Sequence, residues 1–192
     1  MEVEKVITDL ESLSQERYTE HDYISWDLDF LTNYIVNEHH KYTREALPLL
    51  IQYGDKVAKV HGGENPETIE IAHIIHELED EMFPHMQKEE NVLFPYIKHL
   101  ADAKRHGESK PFAPFGTVGN PIRMMEEEHE VVGNALKKIA TLSHNFTLPE
   151  GACNTFTALY TKLEEFQNMT FEHVHLENNI LFPKALTLES QL

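Results

Sequence analysis

The apolar positions of this chain recur at three- and four-residue spacing, the pattern of helices that pack one face against a core. The first such segment runs from Asp27 to Val60, and its apolar face contains Leu28, Leu31, Ile35, Leu47, Leu50 and Ile51. The same pattern predicts further helices over about residues 67–101, 121–143 and 150–186. No segment has the alternation that would predict a strand.

Proline and glycine mark where these helices begin, bend and end. Gly62-Gly63 ends the first helix, and Asn65-Pro66 and Asn120-Pro121 each offer a capping residue and a first helical residue to the helix that follows. Prolines within the predicted helices are expected to kink them, at Pro48, Pro84 and Pro95.

Four helices with three connections predict an all-α fold, an antiparallel four-helix bundle over residues 23–188. Residues 1–22 form a separate N-terminal segment, in which the pattern at 3–15 favours a short extra helix. The irregular stretch 102–120 is long for a bundle connection. Its Phe112, Pro114 and Phe115 predict a lid over one end.

The charge and cysteine content narrow the function. A net charge of −17 argues against binding to nucleic acid or to anionic lipid, because both need a basic face. The single cysteine, Cys153, excludes an internal disulfide and a site built from several thiolates. The N-terminus has no signal-peptide core, and no apolar run reaches membrane-spanning length. The expected location is therefore cytoplasmic.

One phrase occurs twice. HMQKEENVLFP begins at His85, and HVHLENNILFP begins at His173; each has a Glu four residues after its His and ends in Leu-Phe-Pro. A further His precedes each phrase by a similar distance, because His40 lies 45 residues before His85 and His129 lies 44 before His173. The chain is thus two copies of one helical hairpin.

This repeat predicts a metal centre. Residues four apart share a helix face, so each His can act together with the Glu that follows it. The bundle would collect four imidazoles and two carboxylates in its core: His40, His85, Glu89, His129, His173 and Glu177. Burying these groups is costly without a partner, and a pair of metal ions bridged by the two Glu removes the cost. The mixture of imidazole and carboxylate favours iron, and manganese less so.

Other residues leave alternatives open. His73 and Glu77 have the same spacing but lack the Leu-Phe-Pro ending, so they are interpreted as a solvated face. Of the adjacent His39 and His40, one is expected to face away, and the spacing to the following leucines favours His40 as the ligand. Glu81 and Glu128 are either surface acids or groups that orient an imidazole.

These phrases, together with HHKYTREALPLL at 39–50 and NPIRMMEEEHE at 120–130, resemble the hemerythrin-like domain. The match is closer to the iron–sulfur cluster repair di-iron proteins, and it covers about residues 24–187. The resemblance implies the same six ligands, with Glu89 and Glu177 bridging two non-haem irons that also share an oxo or hydroxo bridge. Many members carry a Cys-containing N-terminal domain that has no counterpart in residues 1–22.

Gly133 is a departure that bears on function. Oxygen-carrying hemerythrins have a histidine four residues after the one on the third helix, and here Gly133 occupies that place. The resemblance therefore implies an open position near Gly133, with nitric oxide or oxygen species as ligands. It also implies stress-induced repair of iron–sulfur proteins, by iron donation or by reduction of nitric oxide. A monomer or a homodimer is expected.

Two alternatives remain. The first is a hemerythrin-like protein that binds or senses oxygen or nitric oxide, which the missing fifth histidine disfavours. The second is a ferritin-like oxidase, which needs Glu-x-x-His on two helices. Glu126 and His129 fit that pattern, but Asn37 takes the place of the second carboxylate before His40.

Overall fold

The computed structural model describes residues 22–192, and within that range it contains four long helices and no strand. The helices, labelled α1 to α4, span residues 28–61, 67–106, 119–142 and 154–191. They form a closed ring in the order α1, α2, α3, α4, and the C-terminal parts of α2 and α4 also contact each other across it. The predicted all-α helical bundle is confirmed. The predicted segment 1–22, with its helix at 3–15, lies outside the described residues except for Asp22.

Three of these helices contain a π-helical turn between two α-helical parts. Such wide turns are rare and occur mostly at functional sites. In α1 the π turn is Ile35–His40, and it separates the α-helical parts Leu28–Tyr34 and Lys41–His61. In α2 the π turn is Glu89–Leu93, between Glu67–Lys88 and Phe94–His106. In α4 it is Glu177–Leu181, between Asn154–Leu176 and Phe182–Gln191. Only α3, Gly119–Leu142, is α-helical throughout.

The repeated Leu-Phe-Pro ending accounts for two of these turns. A proline has no N–H to donate, and its ring crowds the carbonyl four residues earlier. Pro95 and Pro183 each lie in the first turn of the α-helix that follows a π turn, where the wider backbone separates ring and carbonyl. Pro48 and Pro84 lie within α-helical parts that continue on both sides. Proline thus modifies these helices without ending them.

The predicted helix ends need correction. Neither Asn65 nor Asn120 caps a helix with its side chain; the Asn120 amide instead donates to the Phe115 carbonyl at 2.8 Å. The helix α2 continues beyond the predicted end at residue 101 because Ala103, Lys104 and Arg105 are good helix formers, and it ends where Gly107 adopts a φ of +67°. The helix α4 begins at Asn154 and likewise runs on past residue 186.

The predicted lid is partly wrong. Phe115 does pack on the bundle, with its ring 5.0 Å from that of Tyr96 in an edge-on arrangement, and Val118 is fully buried. Phe112 is 89% exposed and covers nothing. The sequence alone could not show which of these two aromatic residues packs on the bundle, because that depends on the path of the loop.

Among the described helices, none combines the length and apolarity needed to cross a bilayer.

The core consists of two apolar clusters with a polar belt between them. One cluster surrounds Leu47, Ile75, Leu136 and Phe166 near the end where α1 meets α2. The other surrounds Leu31, Ile97, Met125 and Phe182 toward the opposite end. Between them lie buried histidines and glutamates. Both clusters hold the four helices in register around that belt, which fixes the distances within it.

Gly54 is expected to be needed for the close approach of α1 and α2. A Cβ there would lie 3.1 Å from the Ile75 side chain and 3.6 Å from the Ala72 backbone. Gly54→Leu should therefore lower the free energy of unfolding by about 1–3 kcal/mol, measured by denaturant titration. Gly63→Leu is the control, because Gly63 has no atom within 4 Å of the added Cβ. Equal loss in both variants would contradict the packing argument.

Candidate metal centre

Six ionisable side chains meet in the polar belt, from all four helices. They are His40 on α1, His85 and Glu89 on α2, His129 on α3, and His173 and Glu177 on α4. None is more than 6% exposed, and the two carboxylates are fully buried. The structure thus brings together the six residues that the sequence repeat singled out.

The donor atoms form two groups of four that share both carboxylates. His40 and His173 belong to one group and His85 and His129 to the other, and Glu89 and Glu177 belong to both. Within each group all the donor atoms lie within 4.8 Å of one another. Each group therefore draws one imidazole from each hairpin, and two neighbouring cations can be served by the same pair of carboxylates.

Each carboxylate approaches one histidine from each group. Glu89 Oε2 lies 3.2 Å from His40 Nε2 and 3.4 Å from His85 Nε2. Glu177 Oε1 lies 3.2 Å from His173 Nε2, and its Oε2 lies 3.0 Å from His129 Nε2. A carboxylate in this position can bridge two ions. Both glutamates are the first residue of a π-helical turn. The repeated phrase therefore determines the backbone conformation at the same residue that provides the carboxylate.

The glutamate oxygens have no hydrogen-bond partners. This holds for both oxygens of Glu89 and of Glu177, and also for Nε2 of His40 and His173. An unpaired buried charge costs several kcal/mol, so a fold that keeps two carboxylates in this state must neutralise them. Imidazole nitrogens with carboxylate oxygens and no thiolate are a donor set that iron accepts. The residues fit a pair of bound metal ions.

The electrostatics of the belt agree with cation binding. Burial raises the pKa of Glu89 well above its usual range, and the nearby Glu177 carboxylate raises it further. Burial acts on Glu177 in the same direction, but His173 and His129 outweigh it and hold the Glu177 pKa well below its usual range. Burial lowers the pKa of His173 to about 4, so its ring is neutral and keeps a lone pair for a metal.

Three of the histidines are oriented from outside by a hydrogen bond to Nδ1. Glu90 Oε1 lies 2.6 Å from His40 Nδ1, Glu128 Oε2 lies 2.9 Å from His85 Nδ1, and Asn178 Oδ1 lies 2.9 Å from His129 Nδ1. Each bond turns the other ring nitrogen, Nε2, toward the carboxylates. Such outer partners fix the ring tautomer and raise the basicity of the inner nitrogen.

Of the two acids considered as orienting groups, Glu128 contacts an imidazole and Glu81 does not. Glu128 reaches from α3 across to His85, and Lys88 pairs with its other oxygen. Glu81 is exposed and makes no hydrogen bond to any of the four histidines. Glu90 and Asn178 were missed. A signal was present, because both directly follow the glutamate of the repeated phrase, and each orients the histidine on the other helix of its own hairpin.

The expectation that one of the two adjacent histidines faces away is wrong. His39 is only 2% exposed, and its ring stacks on that of His173 with centroids 5.5 Å apart. The π turn at Ile35–His40 explains this, since a wider turn rotates successive residues through a smaller angle and brings both inward. His40 joins a donor group and His39 does not.

Two further sequence predictions concern residues around the site. His73 and Glu77, the pair without the Leu-Phe-Pro ending, form a 3.3 Å surface contact with side chains 73% and 58% exposed. Gly133 borders a cavity that reaches His129, and a Cβ added to it would meet no atom within 4 Å. There is therefore free space on α3 one turn after the His129 ligand candidate.

Comparison with known proteins gives a family match over most of the chain. The model of the hemerythrin HHE cation binding domain matches residues 31–185, which include all six donors. Two similar curated proteins are the iron-sulfur cluster repair protein YtfE of Yersinia pseudotuberculosis serotype IB (strain PB1/+) and that of Yersinia pestis (strain Pestoides F). Each is 36% identical over 186 residues, covering 97% of this chain and 78% of the relative.

Glu89→Gln is expected to remove metal binding without unfolding the metal-free protein. The amide keeps the shape of the side chain but cannot bridge cations, and it removes one of two buried carboxylates. Metal per chain should fall well below the wild-type value, while the melting temperature of the metal-free protein stays equal or rises. Glu77→Gln is the matched control and should change neither measurement. A metal-free Glu89→Gln protein without helical circular dichroism would contradict this expectation.

Metal uptake is also expected to release protons. The raised pKa of Glu89 means that, below that pKa, the metal-free protein carries a proton that a cation must displace. Affinity should therefore fall as the pH is lowered and rise as the pH passes above the Glu89 pKa. Anaerobic titration with Fe²⁺ in weak buffer containing a pH indicator measures the release. Uptake without proton release at every pH between 5 and 8 would exclude this linkage.

Proposed function

The chain belongs to the hemerythrin HHE cation binding family, and on that premise we propose that it is a di-iron protein that helps to repair damaged iron–sulfur clusters. The observation that carries the di-iron assignment is the sharing of Glu89 and Glu177 between two donor groups. A single-ion site would need neither the second pair of histidines nor two carboxylates that each approach both pairs.

In this proposal the six residues have two roles. His40 and His173 hold one iron, and His85 and His129 hold the other, while Glu89 and Glu177 bridge the two ions. When bound, the irons supply redox chemistry and an open coordination position for a small ligand such as nitric oxide or an oxygen species. The two apolar clusters border the site on either side, and outer hydrogen bonds turn the imidazoles of His40, His85 and His129 inward.

The repair function is proposed from the relatives and from one feature of the site. The proteins that are 36% identical over nearly the whole chain are named for iron–sulfur cluster repair. The clients would accordingly be iron–sulfur proteins. Gly133 supports repair over oxygen carriage, because no side chain closes the space beside His129 where an oxygen carrier has a fifth imidazole.

The di-iron assignment is tested by metal analysis and by nitric oxide. We expect about two irons per chain after anaerobic loading, in keeping with two donor groups. The reduced protein should change its visible spectrum when nitric oxide is added, because an iron with an open position binds it. One iron per chain, or no spectral change with nitric oxide, would refute the assignment. A stable and reversible oxygen adduct would favour oxygen carriage instead.

Repair itself requires a client assay. An iron–sulfur enzyme inactivated with nitric oxide is incubated anaerobically with the reduced, iron-loaded protein, and the recovered activity is measured. Recovery should exceed that with the same concentration of free Fe²⁺, and Glu89→Gln should give no more recovery than the free ion. Equal recovery with wild type and with Glu89→Gln would reject the proposed function while leaving the metal site untouched.

A further inference from the structure

A row of aromatic rings extends from the surface of the bundle to the metal-site residue His173. The His39 ring stacks on that of His173 with centroids 5.5 Å apart, and the Tyr34 ring meets His39 edge-on at 5.7 Å. The rings of Tyr23 and Trp26 lie 5.8 and 5.0 Å from that of Tyr34. Both of these outer residues are partly exposed. The row therefore connects an inner imidazole with the surface through rings in contact.

The internal repeat shows that a donor group can form without such a row. When the ligand histidines of the two hairpins are aligned, Arg123 corresponds to Tyr34. Glu128 likewise corresponds to His39, and it orients an imidazole through a hydrogen bond instead of stacking on one. The need to hold metal ligands in place therefore does not explain the row.

The rings beside two other inner imidazoles have different chemistry. Phe94 stacks on His40 with centroids 5.7 Å apart, and Phe182 stacks on His129 at 6.2 Å. A benzene ring is very hard to oxidise, whereas a phenol or an indole gives up one electron far more readily. Within the part of the chain that the structure describes, tyrosine and tryptophan rings connect with the inner imidazoles by ring contact through His39 alone.

Tyr23, at the outer end of the row, has a proton acceptor in place. Its hydroxyl donates to Glu172 Oε1 at 2.9 Å, and it lies 3.5 Å from the Tyr34 hydroxyl. A phenol that loses an electron becomes a strong acid and must release its proton. The existing hydrogen bond lets the proton leave together with the electron. Burial raises the pKa of Tyr23, so the phenol stays protonated until it is oxidised.

We propose that this row of rings carries oxidising equivalents away from the metal site and leaves them on Tyr23 at the surface. The reaction that calls for it is that of hydrogen peroxide with a centre that holds one ferrous ion. Peroxide takes up two electrons when its O–O bond breaks, and that iron supplies one of them. Tyr23 supplies the second through Tyr34 and His39, because electron tunnelling is fast over the short gaps between contacting rings.

The atoms and electrons of this step balance. Hydrogen peroxide, Fe²⁺, the Tyr23 phenol and one proton from solvent give Fe³⁺, a neutral tyrosyl radical and two water molecules. The phenol proton passes to Glu172, which exchanges it with solvent. The proposal rests on the proposed di-iron site, and it adds a means of protecting the ligand histidines from oxidation.

The test follows the radical instead of repair activity. Protein loaded with iron is reduced by one electron per site, mixed anaerobically with hydrogen peroxide, and frozen within milliseconds for electron paramagnetic resonance. Wild type should show a tyrosyl radical, whose signal narrows in protein made with ring-deuterated tyrosine. Tyr23→Phe/Tyr34→Phe should lose this signal and show more oxygen addition at His173 by peptide mass spectrometry. Its iron content should equal that of wild type, because neither tyrosine belongs to a donor group.

Tyr96→Phe is the matched control for the loss of a phenol. Tyr96 also donates to a glutamate, Glu189, at 2.8 Å, and its ring also meets another ring edge-on, that of Phe115. In the described part of the chain it makes no ring contact with His39 or with an inner imidazole. This variant should give the same radical yield as wild type.

His39→Leu separates the row from the site while both tyrosines remain. It should lose the tyrosyl radical at unchanged iron content. A radical of wild-type yield in both the double variant and His39→Leu would overturn the proposal, and so would a wild-type protein that binds two irons but forms no radical. Failure of the wild type to bind two irons would instead refute the proposed site, and the proposal with it.

Discussion

Two fully buried carboxylates whose oxygens have no hydrogen-bond partner in the protein, Glu89 and Glu177, lie at the centre of this bundle. An arrangement of this kind is strongly unfavourable unless cations occupy the space between them. Burial lowers the pKa of His173 to about 4 and keeps that ring neutral, whereas at His129 burial is outweighed by the Glu177 carboxylate, which raises the pKa. The two apolar clusters above and below supply the folding energy, and the belt between them depends on metal for its charge balance.

The same constraint explains the backbone. A glutamate at the first residue of a π turn is displaced from regular α-helical register, and in α2 and α4 the following proline makes that turn the less strained choice. Glu90 and Asn178 come directly after those glutamates and hold histidines of the adjacent helices. One short phrase therefore supplies an imidazole, a carboxylate shared by both donor groups, an orienting group and the backbone conformation that positions them.

The helices and the six donors could be predicted from the sequence because both produce a repeating pattern. The helices produce apolar residues at helical spacing, and the donors produce a repeated His-x-x-x-Glu phrase. Groups that act between the two hairpins leave no such signal. Glu128 orients His85 from a different hairpin, and only the packing of α2 on α3 determines that contact. His39 was misjudged for a related reason, because its burial depends on a π turn in α1 that no proline marks.

The two hairpins are alike at the inner positions of the site and differ at the outer ones. The inner donors are matched between the two hairpins, since each donor group takes one imidazole from each. The outer positions are free of that requirement, and there the halves differ: Arg44 and Glu90 close the first hairpin, whereas Gly133 and Asn178 leave the second one open. With a single side open, the two shared glutamates stay fully buried while one imidazole, His129, borders a cavity that opens to solvent.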